Sequence, residues 1–295
     1  MKLRVGSRES RLAVAQTESV MEAVRAAHPD IELELVTMKT TGDRILDRTL
    51  DKVGGKGLFV RELDAALREG RVDLTVHSCK DLPMELPEDL PLAAFTRRED
   101  PRDALVLPAG TSEWDRGRPV GSASLRRSLQ LRELYPGLEV QPVRGNVLTR
   151  LSKLDSGQYG ALVLAAAGLR RLGLEGRIAR YFAPEELLPA AGQGILAVQC
   201  RADMDTAFLD CLRDAEAESR ALAERAFVGT LNGGCSSPTA AYAVVEDGRI
   251  TITGMYVNEA NQIRKGKVSG PVCSGAALAR GLAKKLKEDA AWQEK

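Results

Sequence analysis

Val72-Asp73-Leu74-Thr75-Val76-His77-Ser78-Cys79-Lys80-Asp81-Leu82-Pro83 decides the architecture of this 295-residue chain. Val72 to His77 alternates as a strand does, and helix-spaced residues from Leu58 to Glu69 come just before it. Upstream, Leu3 to Gly6 reads as a short strand. Ser10 to Ala27 then reads as a helix with Leu12, Gln16, Val20 and Val24 near one face. Ile31, Leu33 and Leu35 alternate with glutamates as a half-exposed strand. Strand and helix in alternation predict a parallel or mixed sheet with helices on its faces. Ligands of such sheets bind beyond the carboxyl ends of the strands, and Asp81 closes one such end.

Nineteen polar, glycine-bearing residues, Lys39 to Gly57, separate the second strand from the second helix. A connection of that length in a compact unit predicts a lid or binding loop. Gly54-Gly55-Lys56-Gly57 lacks the spacing of a phosphate-binding P-loop, and no G-x-G-x-x-G precedes a helix, so there is no nucleotide motif.

Pro83, Pro87, Pro91 and Pro101 break the chain before a second α/β set begins at Ala104 to Leu107. Three strands there run into helix starts with arginines close by. Val120-Gly121-Ser122 leads to Ser124-Leu125-Arg126-Arg127, Val140 to Val143 leads to Arg144-Gly145-Asn146 and Arg150, and Ala161 to Ala165 leads to Arg170 and Arg171. Unpaired N–H groups and the macrodipole make a helix N-terminus attractive to anions. Charge is distributed in the same sense. Net charge is +1 overall, but residues 97–180 hold 15 basic against 9 acidic side chains, a surplus of six, and 14 of the 15 are arginine. Arginine presents a planar fork matched to carboxylate or phosphate, which predicts a small polyanionic ligand; the alternative is a solvated basic face.

After Leu188-Pro189-Ala190-Ala191-Gly192-Gln193-Gly194 and an apolar strand at Ile195 to Val198, the pattern changes. A long helix, about Ala215 to Leu231, precedes Leu231-Asn232-Gly233-Gly234-Cys235-Ser236-Ser237-Pro238. Three strands without intervening helices and a closing helix follow, predicting a small α+β domain with an antiparallel sheet. Asp247-Gly248 marks a hairpin turn. The Gly-Gly pair permits a sharp turn that leaves the Cys235 thiol reachable; the other reading is a small half-buried hydrophobe after a helix cap.

Five widely spaced cysteines, no C-x-x-C pair and two histidines argue against a disulfide framework or structural zinc. No segment reaches the ~18 consecutive apolar residues of a membrane span, so a soluble, cytoplasmic protein is expected. His77 on an apolar strand reads as a core histidine. Asp81 beside Lys80 reads either as a catalytic acid with a cationic neighbour or as a surface ion pair.

These pieces, in this order, resemble the porphobilinogen deaminase (hydroxymethylbilane synthase) family of tetrapyrrole biosynthesis. The likeness rests on Gly6-Ser7-Arg8-Glu9-Ser10, Gly54-Gly55-Lys56-Gly57-Leu58-Phe59-Val60, His77 to Pro83, Arg98-Glu99-Asp100-Pro101-Arg102-Asp103-Ala104, Ser124 to Arg127, Arg144-Gly145-Asn146-Val147, Gly192-Gln193-Gly194 and Leu231 to Cys235. It implies two similar α/β domains, periplasmic-binding-protein-like halves, plus a small C-terminal α+β domain with a three-stranded antiparallel sheet. The implied bounds are 1–95 with 194–213, 99–190, and 215–295.

The resemblance further implies a dipyrromethane cofactor attached through Cys235, on which four porphobilinogens are joined head to tail with loss of ammonia. Asp81 takes the catalytic place. Arg8, Ser10, Lys80, Ser124, Arg126, Arg127, Arg144, Arg150, Arg171 and Gln193 take the places that bind cofactor and substrate carboxylates. Lys52, Lys56 and Phe59 belong to a mobile loop. No metal, nucleic acid or membrane partner is implied, and a monomer is expected. Each pyrrole carries two carboxylates, which suits the arginine-rich middle third.

Three positions depart from the family pattern: Cys79 stands where methionine is usual, Ala123 removes a hydroxyl from the anion site, and Arg11 replaces a frequent proline. A thiol two residues from Asp81 is expected to be open to oxidation or alkylation. The rival from another class is a two-lobed protein that closes on a small anion. It would carry no covalent chromophore, and fold alone does not separate the two. A nucleic-acid binder fits poorly with +1 net charge and 4% aromatic residues.

Overall fold

The computed structural model describes residues 1–44, 57–233 and 237–291. Its first sheet is built from β1 (Lys2–Arg8), β2 (Glu32–Met38), β3 (Leu74–Ser78), β4 (Leu92–Phe95) and, from far along the chain, β10 (Leu196–Cys200). The order is β2-β1-β3-β10-β4, with β1 parallel to β2 and β3, and β10 antiparallel to β3 and β4. Helix α1 (Arg11–Ala27) starts where Ser10 Oγ accepts from Ala13 N at 3.3 Å, and it buries Val20, Met21 and Val24. These pack with Leu3, Val5, Leu33, Leu74 and Val198 into one core.

The second sheet repeats this plan. It contains β5 (Asp103–Val106), β6 (Val120–Gly121), β7 (Val140–Gln141), β8 (Ala161–Ala165) and β9 (Ile178–Tyr181) in the order β7-β6-β8-β5-β9. β6 is parallel to β7 and β8, and β5 is antiparallel to β8 and β9. Apolar clusters cover both faces, as a largely buried central strand requires: Val106, Leu151, Leu162 and Leu169 on one, Leu105, Leu131, Val163 and Phe182 on the other.

Two segments pass between the sheets, one from β4 to β5 and one from β9 to β10. The second carries Gly192 and Gly194, whose φ values of 72° and 93° lie in the left-handed region. A Cβ on Gly194 would stand 2.3 Å from Glu99 O, so the crossovers touch only because this residue has no side chain.

β11 (Ala240–Glu246), β12 (Arg249–Val257) and β13 (Ile263–Pro271) form an antiparallel meander. Positive φ at Asp247 and Gly248 makes the expected hairpin turn. The Ala215–Thr230 and Gly275–Ala291 helices cover one face through Ala223, Phe227, Ile250, Ile252, Ala279 and Ala283.

Several boundaries depart from sequence expectation. Helix does not begin at Leu58: residues 57–60 form a turn, and the helix spans Arg61–Arg68. The Lys39 to Gly57 connection is not wholly irregular, because Thr41–Arg44 is a helical turn. Thr41 N and Oγ1 both donate to Glu62 Oε1, and Gly42 N donates to Leu58 O at 2.9 Å. Residues 45–56 of that connection, with Lys52 and Lys56, lie outside the described residues.

Candidate active site

The carboxyl ends of the parallel strands in both sheets open on one cleft. Arg8 ends β1, Ser10 caps α1, and β3 runs into a 3-10 turn, Cys79–Asp81, that projects Lys80 and Asp81. From the second sheet, β6 leads to Ser124 and the Leu125–Leu134 helix with Arg126 and Arg127 on its first turn. β7 leads to Arg144 and the Val147–Asp155 helix with Arg150, and β8 leads to Ala166–Arg171.

A cavity of about 480 Å³ fills this cleft, walled by Arg8, Ser10, Phe59, Lys80, Asp81, Arg127, Arg144, Arg150, Arg171 and Gln193. A second cavity of about 150 Å³ shares Lys80, Asp81, Arg127, Arg150 and Gln193 with it and adds Ser124 and Arg126. All twelve described candidate residues therefore line one or both of these two adjoining cavities. Ala123 also lines the smaller cavity, where it leaves one hydroxyl fewer than serine would.

Burial works against the charges of the cationic wall. Burial lowers the Lys80 ammonium to about 8 against the opposing pull of Asp81. Burial, with repulsion from Arg127 and Arg144, lowers Arg150 to about 10, and burial, against the opposing pull of Glu99, takes Arg171 to a similar value. Arg150 Nε donates to Gly145 O at 2.8 Å and Arg171 Nη2 to Gly194 O at 2.6 Å, contacts that aim each guanidinium without neutralising it. An anionic ligand would relieve this field. The Arg8 guanidinium lies 4.2 Å from the Phe59 ring centroid, a cation–π contact at the cavity wall.

Gln193 ties the units together. Its Nε2 donates to Asp103 Oδ1 at 2.8 Å and to Pro101 O at 2.7 Å, while its Oε1 lies 3.4 Å from Lys80 Nζ. Arg126 and Arg127 are buried against Asp103, a residue sequence reasoning quoted in a motif without giving it a role. Glu224, also missed, accepts from Arg98 and from Gly192 N. One signal was available: Ala221, Glu224 and Val228 share a helical stripe, which puts a carboxylate on the buried face.

One expectation is corrected. Cys79 is not open to oxidation or alkylation: it is fully buried, and burial pushes its thiol up to about 11, so thiolate is scarce at neutral pH. In the turn after the long helix Asn232 takes a left-handed conformation, with φ 52°, and Gly234, the second half of the expected Gly-Gly turn, lies outside the described residues. Gly233 answers a demand for space, because a Cβ there would lie 2.9 Å from Val228 Cγ1. His77 is a core histidine with Thr75 Oγ1 2.9 Å away, and burial, with Arg8 nearby, lowers it to about 4. Cys235 lies outside the described residues, but Val228, Ser237 and Thr239, which flank it in sequence, line the smaller cavity.

Among the described residues no helix is long and apolar enough to cross a membrane, and no group of three or more His, Cys, Asp or Glu is placed to hold a metal ion.

Two family models match the chain: "Porphobilinogen deaminase, dipyromethane cofactor binding domain" over residues 3–208 and "Porphobilinogen deaminase, C-terminal domain" over residues 219–288. Porphobilinogen deaminase of Alkaliphilus oremlandii is 56% identical over 287 residues, covering 97% of each chain. That of Acetivibrio thermocellus is 54% identical over 286 residues, covering 97% of this chain and 98% of its own. Among solved structures, the chain is similar to the BenM effector binding domain with its effector benzoate, at 14% identity and a TM-score of 0.42 over 72% of this chain and 88% of that one. It is also similar to the periplasmic aliphatic sulphonate binding protein SsuA from Escherichia coli, at 15% identity and a TM-score of 0.40 over 78% and 70%.

Proposed function

The chain belongs to the porphobilinogen deaminase family, and from that premise we propose how its own residues serve the reaction. It is a transferase of tetrapyrrole (haem) biosynthesis that joins four porphobilinogens head to tail on a dipyrromethane, releasing ammonia and linear hydroxymethylbilane.

In our reading Cys235 carries the dipyrromethane through a thioether, so that the bound group supplies a primer on which the chain grows. The observation that supports this is the smaller cavity: residues on both sides of Cys235 in sequence line it, and it shares Lys80, Asp81 and Arg150 with the larger one. Ser124, Arg126 and Arg127 stand where the primer's carboxylates would be held, and Arg8, Ser10, Arg144, Arg150 and Arg171 where the incoming substrate's would be.

Asp81 sits where both cavities meet and is the carboxylate that would hold pyrrole N–H groups and stabilise the cationic carbon left when ammonia departs. Lys80 and Gln193 orient the junction. Phe59, which lines the larger cavity, would shield the substrate from water, and we assign Lys52 and Lys56 to the same loop. We read residues 1–95 with 194–213, 99–190 and 215–295 as three domains, and the enzyme as a cytoplasmic monomer acting on a small molecule.

Intact-protein mass spectrometry tests the attachment. The purified enzyme should weigh two pyrrole units more than its chain, and Cys235→Ala should show the chain mass and no turnover. An active preparation at the bare chain mass would refute it.

A further inference from the structure

Arg126 and Arg127 meet a carboxylate of the protein before they meet any ligand. Asp103, the first residue of β5, is fully buried. Its Oδ1 accepts from Arg127 Nη2 at 2.7 Å, Arg127 Nε at 3.0 Å and Gln193 Nε2 at 2.8 Å, and its Oδ2 lies 2.8 Å from Arg126 Nη2. Each guanidinium also makes a backbone contact: Arg126 Nη1 donates to Leu188 O and Arg127 Nη1 to Val163 O. Burial acts to raise the Asp103 carboxyl, but the two guanidiniums win and hold it well below the usual range. Three buried groups thus present one net positive charge where the two arginines alone would present two.

The surrounding wall makes that cancellation matter. Among the described residues, seven cationic side chains line the larger cavity (Arg8, Lys39, Lys80, Arg127, Arg144, Arg150 and Arg171), against two acids, Glu9 and Asp81. A growing oligopyrrole gains two carboxylates per ring, so its attraction to this wall rises with each addition. Binding that strengthens equally in every bound state lowers KM without accelerating the chemistry, and it slows departure.

Resting on the active-site reading above, we propose that Asp103 is a positioning residue that serves as a built-in counter-carboxylate. It aims Arg126 and Arg127 at the junction of the cavities and cancels one of their charges, so that the site holds a lengthening polyanion loosely enough for it to advance and leave.

The test is Asp103→Asn, assayed as holoenzyme by steady-state kinetics at several ionic strengths and by native gels that resolve partly elongated enzyme. One added positive charge should lower KM for porphobilinogen roughly three- to tenfold, with a steeper salt dependence. Turnover should fall as the longest intermediates accumulate. Asp103→Glu, which keeps the charge, should stay nearer the wild-type KM. A raised or unchanged KM in the Asn variant, or accumulation of the shortest intermediates, would mean that Asp103 is only a structural partner and would overturn the proposal.

If Asp103→Asn gives no soluble holoenzyme, Ala123→Lys decides. Ala123 is exposed and lines the smaller cavity, so a lysine there adds one cation while leaving Asp103 and its partners unchanged in sequence. Lower KM with late intermediates accumulating is expected, whereas unchanged or faster turnover would overturn the proposal. A wild-type protein lacking the two-pyrrole mass would instead sink the attachment reading, whatever these variants do.

Discussion

Glu224 Oε1 lies 2.6 Å from Arg98 Nη1, with the two side chains 0% and 5% exposed. The pair joins the helix leading to Cys235 to the first crossover. It reaches the second as well, because Glu224 Oε2 accepts from Gly192 N at 2.7 Å and Arg98 Nε donates to Gln193 O at 2.9 Å. Ala243 N of β11 donates to the same carboxylate at 2.7 Å. One buried ion pair therefore sets where the third sheet stands relative to the cleft.

Glu224→Ala should be among the most destabilising single changes in the chain. Removing one partner leaves the Arg98 charge buried and two backbone N–H groups unsatisfied, a loss of about 3–5 kcal/mol. Calorimetry should show Tm lowered by roughly 5–10 °C. Glu224→Gln, which keeps an acceptor, should lose less. A Tm within one degree of wild type for the alanine variant would show that the pair is dispensable.

Cys79 and Cys200 should resist alkylation in the native enzyme. Both are buried, and burial raises both thiols, whereas Cys211 and Cys273 are exposed. Peptide mapping after iodoacetamide treatment at pH 8 should find label on Cys211 and Cys273 and find Cys79 and Cys200 unlabelled until the protein is denatured. Labelling of Cys79 in active enzyme would contradict the packing around the 3-10 turn that carries Asp81.

Much of this was legible in the sequence, because strand-to-helix alternation and the arginines after β6, β7 and β8 are local patterns. The arginine surplus was harder to interpret. Composition does not distinguish Arg150, which donates to a backbone carbonyl in the cleft, from Arg177, which is paired with Asp155 away from it. Asp103 and Glu224 escaped notice because their partners are distant in sequence: Gln193 is 90 residues from Asp103 and Arg98 is 126 from Glu224. Only the two crossovers bring them together. Cys79 misled for the same reason, since its neighbour Gly192, where a Cβ would lie 2.7 Å from its Sγ, arrives on the second crossover.

Lys80 should give the reaction an alkaline limit. Its folded value of about 8 lies below the ordinary lysine value of 10.5. The native state therefore binds fewer protons than the unfolded chain between those pH values, and this group's unfavourable contribution to stability is full below pH 8 and relieved as pH rises to 10.5. Anion binding runs the other way: the ammonium is lost as pH rises through about 8, so kcat/KM should fall there. Lys80→Arg, which stays charged, should shift that fall to higher pH. An identical profile in both enzymes would assign the limit to another group.

Asp81 should matter through its charge. It stands half-buried at the junction of the two cavities, on the turn that ends β3, with Lys80 beside it and Arg150 near enough to feel its field. The step assigned to it creates positive charge on a pyrrole as ammonia leaves, and a fixed carboxylate in a partly dry cleft stabilises that charge more than water would. Asp81→Asn preserves size and one acceptor but removes the anion, so turnover should fall at least ~100-fold, the scale of a lost electrostatic or acid–base group. Tm should change little, because the side chain belongs to none of the apolar clusters. Asp81→Glu keeps the charge but displaces it by about one methylene, and should retain more activity than Asn while remaining impaired. Single-turnover assays of both variants separate the terms. Equal losses would make geometry the dominant one, and wild-type turnover in Asp81→Asn would reduce Asp81 to a partner for Lys80.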